Sequence, residues 1–189
     1  MADKKPSIHK TILILLLVFI PPFWLLFTDE GSRVSDTALL WLLGKDDIKI
    51  SLTDLDTGFS TNDIRTVYSD IDWQCGGQRT RFGDSMCLAS IGTFNGLPSQ
   101  AVTFYFRGDR LSAMQLIYRT TYHERILGHV IGKAGQPANV AQALADGPDA
   151  DEVLQWDLDK GVLLLKKTLA PKDEPALLWL APAPNAARV

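Results

Sequence analysis

Two cysteines and three histidines are all the thiols and imidazoles in the 189 residues. That scarcity excludes most metal chemistry. No CxxC pair is present to hold zinc, and His123 and His129 stand six positions apart where a helical metal pair needs three or four. The nucleotide and nucleophile signatures are missing as well. There is no Walker loop, no G-x-G-x-x-G after a strand and no G-x-S-x-G elbow. No cofactor, metal or catalytic residue is therefore expected. Positive charge is also in short supply. The formal net charge is −3, and a nucleic-acid binder needs a basic face.

Long apolar runs are absent except for one, Ile8 to Phe27, IHKTILILLLVFIPPFWLLF. About 20 apolar residues cross a hydrocarbon core of about 30 Å. Lys4, Lys5 and Lys10 precede or open the run, and Asp29 and Glu30 follow it. The positive-inside rule orients such a segment with its N-terminus in the cytoplasm. Trp24 suits the far interface. Pro21 and Pro22 kink a helix but are tolerated in membranes. The competing reading is a cleaved signal peptide, whose small-residue cleavage site Pro21 to Trp24 does not provide. The expected topology is a cytoplasmic tail over residues 1–10 and a single-pass inner-membrane anchor over 11–28. A juxtamembrane connector over 29–47, a periplasmic domain over 48–181 and a disordered tail over 182–189 follow.

Residues 1–28 hold three Lys and one Asp; the remainder holds 16 Lys plus Arg (19 − 3) and 21 Asp plus Glu (22 − 1), a net of −5. An exported domain with an even cysteine count predicts a Cys75–Cys87 disulfide closing CGGQRTRFGDSMC. Two separate buried thiols are the alternative.

The fold class expected is α+β: the membrane helix, then an antiparallel sheet with two helices. Ser60 and Asp63 form a capping box before a stripe of Ile64, Val67, Tyr68 and Ile71, predicting a helix over 61–72. Thr121 and Glu124 repeat the box before Tyr122, Ile126, Val130 and Ala134, with Gly135 as the stop. The two caps lie 61 residues apart, and alternation after each predicts a meander. A duplicated helix-plus-meander unit follows as an expectation. Strands are expected over 48–52, 85–91, 101–106, 111–119, 153–158, 162–168 and 176–180, and a helical turn over 139–145.

Three further stretches invite functional readings. Leu39, Leu40, Trp41, Leu42 and Leu43 form a short apolar run next to the anchor, too short to span. As a short helix or a strand it serves either as core or as a partner-docking patch. Asp146, Asp149, Asp151 and Glu152 cluster in a loop, but the glycine precedes three of the acids, unlike a calcium loop. Arg107-Gly108-Asp109 has the form of an adhesion tripeptide and the position of a hairpin tip. Together these point to a non-catalytic, membrane-anchored subunit or regulator of a larger envelope complex. The alternative is an extracytoplasmic ligand-binding or enzymatic domain that leaves no linear motif.

Overall fold

The computed structural model describes residues 8–27, 46–140 and 153–182. The Thr37 to Leu43 run, the acidic loop and the tail from residue 183 lie outside the described residues. The chain divides into two compact units, Met1–Gly44 and Lys45–Val189.

In the first unit, α1 covers Ile8–Phe27, 20 residues, about 30 Å at 1.5 Å per residue. Side chains are described for Ile12 to Ile20 and for Phe23. All ten are apolar and exposed, between 49% and 70%. Among the described residues, no helix is long and apolar enough to cross a membrane.

The second unit is α+β. Its strands are β1 (Asp47–Ile48), β2 (Gln74–Gly77), β3 (Ser85–Ser90), β4 (Thr93–Phe94), β5 (Leu97–Arg107), β6 (Arg110–Tyr118), β7 (Asn139–Val140), β8 (Val153–Leu158), β9 (Gly161–Lys166) and β10 (Ala176–Leu180). Its helices are α2 (Thr61–Val67) and α3 (His123–Ala134). The main sheet runs β2-β3-β5-β6-β10-β9-β8-β7, antiparallel at every step. A small corner hangs from the start of β5, where β4 pairs with Leu97 and Pro98 and β1 lies parallel to β4. Helix α2 precedes one half of the sheet, α3 the other. The two halves meet along β6 and β10, with Met114 opposite Trp179 and Leu116 opposite Leu177.

One face of this sheet makes the core. Val102, Phe104 and Phe106 of β5, Met114, Leu116 and Tyr118 of β6, and Leu177 and Trp179 of β10 are fully buried. They join Ile64 of α2 with Ile126 and Val130 of α3 in one cluster. Phe104 stacks on Tyr68 at 6.4 Å and meets Trp73 at 5.5 Å.

Several local expectations are met and others corrected. The Ser60 box is formed: its hydroxyl accepts from the Asp63 N–H, and the Asp63 carboxylate accepts from the Ser60 N–H at 2.9 Å. The helix nevertheless stops at Val67, and Val67 is 59% exposed. Tyr68 ends it, because its carbonyl turns to accept from Ile71 N–H and from the Trp73 indole at 3.0 Å. The Thr121 box is not used. Residues Thr120–Tyr122 form a single 3₁₀ turn, and α3 begins at His123 without a side-chain cap. The expected strand over 48–52 shrinks to Asp47–Ile48. Residues 139 and 140 form a strand where a helical turn was expected. Two of the tight hairpin turns hold two consecutive positive φ angles, at Asn95-Gly96 and at Gly108-Asp109, the conformation that joins twisted strands; the third, Asp159-Lys160 between β8 and β9, does not.

Candidate functional site

The sheet face opposite the helices carries Thr103, Gln115, Gln155 and Asp157, but between them runs an apolar strip along β9 and β10. Leu178 faces Leu164 across β10 and β9, and Leu180 faces Val162. Leu178, Leu180 and Val162 remain half-buried. Where this face reaches the tip of the β5–β6 hairpin, it opens into a groove of about 820 Å³.

The floor of the groove is Leu178, Leu180 and Ser112; Arg81, Arg107 and Arg110 line its polar side. Its wall is the loop between Gly77 and Ser85. Thr80 folds that loop, accepting from the N–H groups of Phe82 and Gly83 at 3.2 Å each. Gly83 passes so close to β5 that a Cβ there would lie 2.2 Å from the Phe106 carbonyl oxygen. Only glycine allows this approach. Phe82 then rests on Tyr105, ring centres 5.0 Å apart, with the Arg81 guanidinium 4.6 Å above the Phe82 ring.

A β-bulge sets the floor. Tyr105 pairs with Ala113 and Phe106 with Leu111, which leaves Ser112 as the extra residue. Its hydroxyl bonds the Phe82 and Tyr105 carbonyls at 2.6 and 3.0 Å, and its own carbonyl accepts from Ala181 N–H. Bulges commonly re-aim side chains beside sites. Burial raises the Tyr105 hydroxyl above its ordinary pKa, opposed by a Thr103 hydrogen bond and the Arg81 charge. That hydroxyl donates to Gln115 at 3.0 Å.

The loop that forms the wall lies inside the ring closed by the disulfide. Cys75 and Cys87 are bonded, 12 positions apart, and directly opposite each other on β2 and β3. The even cysteine count, in a chain expected to be exported, singles out these two residues. The Arg107-Gly108-Asp109 tripeptide is a hairpin tip. The Asp109 carboxylate accepts from Thr61 N–H at 3.0 Å, while Arg107 and Arg110 stand opposite each other. The sequence reading missed the groove. Its signal was available in β9 and β10, whose runs VLLL and ALLWL are continuous rather than alternating, the mark of a strand covered on both faces.

The histidines are separated. His123 is buried and held at both nitrogens, Nδ1 2.9 Å from the Tyr118 hydroxyl and Nε2 3.1 Å from the Lys167 carbonyl. Since a carbonyl only accepts, Nε2 carries the proton and Tyr118 donates to Nδ1. Burial raises the Tyr118 hydroxyl far above its usual range. His123 is thus a bracket between the end of β6 and the segment after β9. His123→Ala should cost about 1–3 kcal/mol, the penalty for stranding a buried hydroxyl, read as a lower denaturation midpoint. An unchanged midpoint would show the bracket to be idle.

His129 lies elsewhere, 3.4 Å from Asn95, beside a smaller cleft with Lys49, Ser51, Thr53 and Lys133. Burial, then the Lys133 charge, lower its pKa. Among the described residues, no group of three or more His, Cys, Asp or Glu is placed to hold a metal ion. Comparison with protein-family models, curated proteins and solved structures finds no match to this chain.

Proposed function

We propose that this chain is a membrane-anchored, periplasmic, non-catalytic interaction module, a subunit or regulator of a larger envelope complex. The observation that carries this reading is the half-open apolar strip of Val162, Leu178 and Leu180 on the sheet face behind the helices. A patch of that kind on a soluble face is characteristic of an interface. The anchor rests on the sequence of Ile8 to Phe27, an apolar run with lysines before it and Asp29 and Glu30 after it, and the disulfide accords with an oxidising compartment. The strand order, with α2 and β2-β3-β5-β6 answered by α3 and β7-β8-β9-β10, supports reading the domain as a doubled helix-plus-meander unit. Leu39, Leu40, Trp41, Leu42 and Leu43 supply a second docking segment next to the membrane.

Purification of the full chain in mild detergent should bring a partner protein with it. The double substitution Trp41→Ser with Leu42→Ser should weaken that association without lowering the domain's unfolding midpoint. A reporter active only outside the cytoplasm, fused after Arg188, should work. Cytoplasmic activity at that position, or a full chain that travels alone under all mild conditions, would overturn the reading.

A further inference from the structure

We infer that the groove at the β5–β6 tip receives an acidic, leucine-rich segment of a partner protein, with carboxylates on Arg81, Arg107 and Arg110 and apolar side chains on Leu178 and Leu180. The inference rests on the reading of the domain as an interaction module and names the chemistry of its partner.

Charge is the first ground. The chain outside the leader is net negative, yet three arginines from two separate segments converge on one apolar groove. All three are exposed. None has an acidic partner within ion-pair distance among the described residues; the described pairs are Lys160 with Asp56 and Lys166 with Asp173. The carboxylates nearest the tip are occupied by backbone: Asp84 accepts from Gly108 N–H at 3.1 Å, and Asp109 from Thr61 N–H. Arg107 and Arg110 are moreover a directly opposed cross-strand pair. Like charges so placed repel and destabilise a hairpin. A carboxylate-bearing ligand turns that repulsion into shared attraction, and guanidinium forks match carboxylates two bonds at a time.

Shape is the second ground. The groove is open along the sheet, with floor side chains two residues apart on β10. An acyl chain laid there would keep one side in water. An extended peptide instead places alternate side chains at the same spacing as the strand beneath it, one set down on the leucines and the other up toward the guanidiniums. Residues 183–189, which follow the groove-lining Pro182, include Arg188 and no Asp or Glu, so their side chains do not complement the site.

The test uses full-length protein in mild nonionic detergent. A labelled peptide of alternating glutamate and leucine is followed by fluorescence anisotropy, beside a lysine–leucine peptide of the same length. The glutamate peptide should bind and the lysine peptide should not. The triple substitution R81E/R107E/R110E should weaken the glutamate peptide by about tenfold or more and confer binding of the lysine peptide. A merely misfolded variant would not gain that binding. Equal binding of both peptides by the unaltered protein, or an unaffected glutamate peptide in the triple variant, would overturn the inference. So would arginine-dependent binding of monomeric short-chain phosphatidylglycerol with no peptide binding. The interaction reading fails separately. Equal peptide binding by parent and triple variant refutes the groove and leaves the module, whereas peptide binding with the charge-swapped preference supports the groove even if the full chain travels alone.

Discussion

Substituting Gly161→Ala should lower the stability of the domain by about 3 kcal/mol, the upper end for overpacking a filled core. Gly161 opens β9 and is buried. A Cβ there would sit 2.6 Å from the Leu180 carbonyl oxygen and 2.7 Å from Cε2 and Nε1 of the Trp179 indole. Neither neighbour can yield cheaply. The first is backbone in the ladder between β9 and β10, and Trp179 is completely buried. The melting temperature should fall by about 6–12 °C. Gly76→Ala is the control, because a Cβ on that edge strand meets nothing within 4 Å. It should stay within about 0.5 kcal/mol of the parent. Equal midpoints for both variants would show that the β9–β10 ladder has slack the structure does not reveal.

Removing the disulfide should have a similar effect by a different route. A cross-link closing a loop of this length stabilises by about 3 kcal/mol, in the account that assigns it to the unfolded chain. The double substitution Cys75→Ser with Cys87→Ser, or reductant on the parent, should produce that loss. Cys87 is fully buried and Cys75 packs against the core, so a single substitution leaves the other thiol free to cross-link. Because Arg81 and Phe82 lie inside the ring, hydrogen exchange should quicken first in the loop of residues 78–84. Complete alkylation of both thiols without reductant would rule the bridge out.

Much of the fold was legible because it is local. The Ser60 box, the Asn95-Gly96 and Gly108-Asp109 turns and the alternation of Val102, Phe104 and Phe106 are each decided within a few residues. The misreadings arose where distant partners decide. Tyr68 ends α2 because its carbonyl meets Trp73, and Thr121 lies in a 3₁₀ turn just ahead of α3, whose first residue, His123, is held by Tyr118 and Lys167. The groove was hidden for the same reason. Arg81, Arg107 and Leu180 are unremarkable in sequence; only the bulge at Ser112 and the close passage of Gly83 bring them together. The cysteines were legible because two thiols that bridge within one chain have a single possible pairing.

The joining of the two halves through β6 and β10 carries a consequence for self-association. It leaves the first strand of the first half, β2 with four residues, at one margin of the sheet. Unpaired ladders are where one molecule templates another, and short margins blunt that hazard. At that margin copies of this domain have little ladder to offer one another, so fibre growth by strand addition has no convenient start there.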